Sequence, residues 1–101
     1  MNLVLKDLAK QQAELCRVFG NASRILILWH LVDQEASVGE IADEVGSSLQ
    51  NISQHLALLK EHDLVATRRD GQTIYYRIAD NEWLKNCPVL LKALEKDLPV
   101  K

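Results

Sequence analysis

Seven of the nine residues from Ser47 to His55 carry a hydrogen-bonding side chain: Ser47, Ser48, Gln50, Asn51, Ser53, Gln54 and His55. None is a carboxylate. The amides of Gln and Asn each offer a donor and an acceptor, the pair that matches N6 and N7 of adenine, and a Ser hydroxyl serves base or phosphate. An α-helix fits the major groove of duplex DNA and reads base edges with its N-terminal residues. Gln50, Asn51, Ser53 and Gln54 are therefore candidates for base contact. Ser47 and Ser48, beside the free amides of a helix start, suit phosphate, and so does His55 on the flank of the face. Arg68 and Arg69, next to Asp70-Gly71, suit the DNA backbone or an adjacent minor groove. The competing reading is a polar helix face that is merely solvated, and the surrounding elements have to decide between the two.

Other reactive side chains are few. Cys16 and Cys87 stand 71 positions apart with no CxxC, so they suggest neither a disulfide framework nor a structural zinc site. They read either as small apolar core residues or as a thiol pair that oxidises or takes a thiophilic metal or metalloid. His30 falls in an apolar stretch, where a core or interface role is expected. His62 ends a helix, where a cation complements the dipole. Trp29 and Trp83 read as core or interface aromatics, and Tyr75 and Tyr76 alternate across a strand, one inward and one outward. There is no Ser/His/Asp set, paired carboxylate, P-loop or GxGxxG, so an enzyme is not expected.

The elements that would position these residues follow from periodicity. Residues 3–19 form an amphipathic helix with Leu5, Leu8, Leu15 and Phe19 on one stripe, ended by Gly20. Asn21 caps a second helix, Ala22 to Asp33, apolar almost all round and so expected to be central and buried. Ser37 and Glu40 fit a capping box ahead of a short helix, Val38 to Val45, with Gly46 as its left-handed end. Ser48 caps the next helix, Leu49 to His62, in which Leu49, Ile52, Leu56 and Leu59 line one face. Leu64 to Arg69 and Gln72 to Ile78 read as strands joined by a two-residue Asp70-Gly71 turn. A last helix spans residues 81–98, with Leu84, Cys87, Leu91, Leu94 and Leu98 in register; Pro88 must kink or restart it.

Two short helices joined by a Gly-containing turn form a helix-turn-helix, residues 38–62, and the hairpin at 64–78 is its wing. Ala42 lets the two helices approach, Gly46 makes the turn and Ile52 packs back between them. The fold class is mainly α with a small β-hairpin wing, a winged helix-turn-helix in the order ααααββα, in a single domain over residues 1–101. The apolar stripes of the first and last helices are left with nothing to cover them.

The chain resembles the ArsR/SmtB-type winged-helix repressors over residues 8–98. The matching stretches are Phe19-Gly20-Asn21-Ala22-Ser23-Arg24, Ser37-Val38-Gly39-Glu40-Ile41-Ala42, Ser53-Gln54-His55-Leu56-Ala57-Leu58-Leu59-Lys60 and Gly71-Gln72-Thr73-Ile74-Tyr75-Tyr76-Arg77-Ile78. The resemblance implies a repressor that binds a palindromic operator as a homodimer. The dimer would form through helices 3–19 and 81–98, with Leu5, Leu8, Leu15, Phe19, Leu84, Leu91 and Leu94 at the interface. Members of the family commonly release DNA when a metal, arsenite or an oxidant binds. Their third-helix thiol position is Ser37 here, the last helix has no His, and the second-helix Cys position is Trp29. The usual metal sites are thus missing and no cofactor is expected with certainty; Cys16 and Cys87 remain as a thiol sensor. The alternatives are a regulator with no metal or redox response, and a winged-helix protein-interaction module that never touches DNA. Such modules usually lose the charge and polarity that Arg68, Arg69 and Gln50/Asn51/Gln54 supply.

Composition sets the outer limits. A chain of 101 residues with 48% hydrophobic and 26% charged residues is an ordinary globular domain. Its longest apolar run is five residues, Ile25 to Trp29, far below the ~18 of a membrane helix. The N-terminus has no signal-peptide pattern, and a cytoplasmic location with no membrane partner is the expectation. The net charge of −2 divides into −3 for residues 1–45, +1 for residues 46–77 and 0 for residues 78–101. The motif stretch is the only positive part. Phosphate contacts depend on local charge, so the acidic total predicts weak non-specific DNA binding and reliance on a matched operator.

Overall fold

Ser37 closes the box that starts the motif. Its hydroxyl accepts from the Glu40 N–H at 3.3 Å, and the Glu40 carboxylate accepts from the Ser37 N–H at 2.9 Å. The computed structural model describes residues 2–80. In chain order these form α1 (Leu3–Phe19), α2 (Ala22–His30), β1 (Ala36–Ser37), α3 (Val38–Val45), α4 (Leu49–Glu61), β2 (Val65–Asp70) and β3 (Thr73–Ile78). The helix expected over residues 81–98 lies outside the described residues, along with Trp83, Leu84, Cys87, Pro88, Leu91 and Leu94.

The starts of α2, α3 and α4 follow the caps read from the sequence, and α1 has a further cap in Asn2. Asn2, Asn21, Ser37 and Ser48 each accept from a backbone N–H of the first turn. Gly46 ends α3 at φ 77°, and the Gly46 and Ser47 N–H groups both donate to the Ala42 carbonyl. The end of α4 uses a non-glycine residue for the same purpose. Asp63 sits at φ 60°, its N–H donates to Lys60 O, and the Leu64 N–H donates to Leu59 O. That is the paired bonding of a Schellman motif with Asp in the left-handed seat.

Three sequence expectations need correction. First, α2 stops at His30, not Asp33, because the Gln34 side-chain amide donates to the His30 carbonyl and covers the helix end. Nor is α2 apolar on a wholly buried surface. Ile27 and Leu28 are buried, but Leu26 is 45% exposed. Second, a third strand precedes α3: β1 pairs with β3 in the antiparallel order β1-β3-β2. Third, the hairpin turn is one residue later than expected. Asp70 pairs with Thr73, so the loop is Gly71-Gln72, with Gly71 alone at positive φ (64°). Glycine at the first central position is the type II′ arrangement, whereas an Asp-Gly loop would have been type I′.

The core lies where α2, α3, α4 and the sheet meet. Ile27, Leu28, Ile41, Ile52, Leu56 and Leu59 are all fully buried there. Truncating a residue such as Ile52 to Ala costs about 2–5 kcal/mol in a site of this kind. The second half of α1 joins this core through Val18, Leu15 and Phe19. The first half does not: Leu5 is 53% and Leu8 54% exposed.

The sheet has two distinct faces. Alternation puts Val65, Thr67, Ile74, Tyr76 and Ile78 on the inner one, where Tyr76 and Ile78 pack on the core. Ala66, Arg68, Tyr75 and Arg77 lie on the outer one.

Candidate nucleic-acid interface

The buried side of α4 decides what its other side presents. With Ile52, Leu56 and Leu59 inward, Gln50, Asn51, Ser53 and Gln54 are exposed. Ser47 and Asn51 hold each other: the Asn51 amide nitrogen donates to Ser47 Oγ at 2.8 Å. Ser48 Oγ accepts from the Asn51 N–H at 3.1 Å and is the helix cap. Both serines thus fix the start of α4. Gln50, Ser53 and Gln54 make no side-chain hydrogen bond to a described residue and project from a rigid helix.

His55 occupies the flank of this face and is half-buried. Its Nδ1 accepts from Arg24 Nε at 3.2 Å. Arg24 also donates through Nη1 to Val18 O at 3.2 Å, at the end of α1. Burial, and then the charge of Arg24, hold the His55 pKa below its ordinary 6.5. His62, the C-cap of α4, lies with Nδ1 3.0 Å from Leu58 O.

On the wing, Arg68 and Arg69 point to opposite faces. Arg68 Nε lies 2.8 and 2.9 Å from the two carboxylate oxygens of Glu35, and its guanidinium lies 4.6 Å from the centre of the Tyr75 ring. The hydrogen bond from Arg68, with the charges of Arg68 and Arg77, lowers the pKa of Glu35, and that of Arg68 is raised in return. Arg69 is exposed and forms no ion pair among the described residues.

Sequence reasoning missed Arg24, Glu35 and Arg77. Arg24 and Glu35 meet partners 31 and 33 positions away, a separation that carries no local signal. Arg77 had one, a cation alternating with Tyr76 on a strand. Cys16 is exposed on α1, with Gln12 Nε2 at 3.9 Å from its sulfur. Cys87, the other thiol of the expected pair, lies outside the described residues. Among the described residues no cluster of His, Cys, Asp and Glu could hold a metal, and no helix is long and apolar enough to cross a membrane.

This geometry has known counterparts. The helix-turn-helix domain family HTH_20 matches residues 19–68. The HTH-type transcriptional regulator KmtR of Mycobacterium tuberculosis is 47% identical over 72 residues, 71% of this chain and 55% of its own length. The chain thus spans about half the length of that relative. The crystal structure of NolR from Sinorhizobium fredii superposes with a TM-score of 0.79 at 38% identity, over 95% of this chain and 92% of that one. The solution structure of Mb0332 from Mycobacterium bovis superposes with a TM-score of 0.75 at 31% identity, over 92% and 86%. Mb0332 is described as a homodimeric winged helix-turn-helix DNA-binding domain of a possible ArsR-family regulator. With capped α3 and α4, the wing and these relatives together, the chain belongs to the ArsR/SmtB-type family of winged helix-turn-helix transcriptional regulators.

Proposed function

We propose that the chain is a repressor that binds a palindromic operator in duplex DNA as a homodimer. The observation that carries this reading is the exposed row Gln50, Ser53 and Gln54, directly opposite fully buried Ile52, Leu56 and Leu59. A helix so anchored presents these side chains to base edges from a fixed backbone. Ser47, Ser48, Asn51 and His55 border the groove, and Arg69 with Arg68 supplies the wing. The exposed apolar first half of α1 supports a dimer, and so does the homodimeric Mb0332.

The test is footprinting on DNA upstream of the chain's own gene. Two protected half-sites about one helical turn apart are expected for a two-fold dimer. Gln54→Ala should lose discrimination between that site and random duplex. Equal loss on both, or no protected site, overturns the reading. Release of DNA by an oxidant or arsenite is the regulatory half, acting at Cys16 and Cys87. A response that survives Cys16→Ser combined with Cys87→Ser excludes both thiols.

A further inference from the structure

Arg24 makes two kinds of contact from the first turn of α2. Nη1 donates to the Val18 carbonyl, closing the end of α1, while Nε donates to Nδ1 of His55 in the middle of α4. A guanidinium has donors only and stays protonated. Nδ1 of His55 must therefore present its lone pair, and in the neutral ring the proton resides on Nε2. No described residue takes a hydrogen bond from Nε2, and it is not sealed from solvent. On α4, Asn51 and His55 are four residues apart and so share one flank, and Ser47, just ahead of the helix cap, is bonded to Asn51. Ser47 and Asn51 thus satisfy each other, while the Nε2–H of His55 has no partner among the described residues.

We propose that Arg24 is a positioning residue for DNA binding: it holds His55 as the Nε2–H tautomer, and that N–H donates to a backbone phosphate oxygen. The proposal rests on α4 being the DNA-binding helix. It assigns Arg24 an indirect role, although it is a cation close to the polar face. The two roles differ in one measurable way. A cation on a phosphate releases counterions and steepens the salt dependence of binding, while a neutral imidazole N–H does not. Among the described residues, Arg24 on α2 is the charged group that bears on His55.

The experiment measures fluorescence anisotropy of a random-sequence duplex across a salt series, with the parent chain, Arg24→Gln, His55→Ala and the double variant. Each single variant should bind about three- to tenfold more weakly per protomer, the worth of one hydrogen bond, with an unchanged slope of log K against log salt. The double variant should bind no more weakly than His55→Ala. A slope that falls by about 0.9 per protomer in Arg24→Gln means that Arg24 itself touches phosphate, and overturns the proposal. Losses that multiply in the double variant overturn it as well. Should Arg24→Gln fail to fold, the 15N shifts of His55 in the free parent decide: an Nδ1–H tautomer overturns the proposal, and an Nε2–H tautomer together with an unchanged slope in His55→Ala supports it. A parent that binds no duplex at any salt overturns the DNA-binding reading itself, whereas a parent that binds while Arg24→Gln changes the slope overturns only the role of Arg24.

Discussion

Arg68 is held by Glu35. Nε lies 2.8 Å from one carboxylate oxygen of Glu35 and 2.9 Å from the other, and the face of Tyr75 backs the guanidinium. The pair is exposed, so it adds little to stability. Its consequence is electrostatic: the two neighbouring wing arginines are not equivalent. Arg68 reaches a phosphate only by leaving Glu35, while Arg69 on the other face has no such partner among the described residues.

Arg69→Ala should therefore weaken binding to all duplexes alike and lower the salt slope by about 0.9 per protomer, about 1.8 for the homodimer. The sequence assigns Arg68 and Arg69 the same role, but Arg68→Ala should have the smaller effect of the two. Glu35→Gln should raise affinity for random duplex and steepen the slope, because it frees a cation. Anisotropy titrations at several salt concentrations check all three. An Arg68→Ala variant with the larger slope change would refute this ranking.

The Glu40 carboxylate predicts a response to acid. Backbone and then side-chain hydrogen bonding with Ser37 lowers its pKa from 4.5. A carboxylate whose pKa is lower in the folded chain contributes stability that is fully present above the unfolded value. That stability is lost as pH falls through the folded value. Thermal stability should thus hold above pH 4.5 and decline below it, through the capping box among other carboxylates. Glutamine at this position still caps but does not titrate. Glu40→Gln should flatten the part of the decline due to this residue, and parallel melting curves of parent and variant from pH 6 to pH 3 would sink the idea.

The two left-handed helix ends behave differently under substitution. Gly46 has φ 77° and open space where a Cβ would stand, so the cost of Gly46→Ala is conformational alone, about 1 kcal/mol. Asp63 adopts φ 60° already carrying a side chain. Asp is among the residues that tolerate this region, and a β-branched one is not. Asp63→Val should cost more than Gly46→Ala, on the order of 2 kcal/mol, by denaturant unfolding. Equal stability of Asp63→Val and parent would show that the turn relaxes out of the left-handed region.

Much of this architecture was legible because its signals are local. α1 and α3 have the boundaries that the sequence implies, and the caps at Asn21, Ser37 and Ser48 act within three residues. What stayed hidden depends on distant partners. β1 is only two residues long and exists because β3 accepts it as a neighbour, with Ala36 opposite Tyr76. The turn slipped by one because Asp70-Gly71 and Gly71-Gln72 are both good two-residue loops. Choosing between them sets whether Arg68 stands directly opposite Tyr75 or opposite Thr73. The same limit concealed Arg24 behind His55, so the polar row of α4 was readable while the residues that tune it were not.

The first half of α1 leads to the last prediction. Leu3, Val4, Leu5 and Leu8 are more than half exposed, a contiguous apolar surface of the kind that marks an interaction site. In the homodimer proposed here a second copy covers it. A charge placed in such an interface is buried without a partner and costs several kcal/mol, whereas the same charge on a free surface costs almost nothing. Leu5→Asp combined with Leu8→Asp should leave the core of α2, α3 and α4 folded by circular dichroism and shift the mass from dimer to monomer in sedimentation equilibrium. Operator binding should fall with it, because the two half-sites are then occupied by separate molecules. A double variant that remains dimeric would show that this face of α1 lies outside the interface, and its exposed leucines would then need another partner.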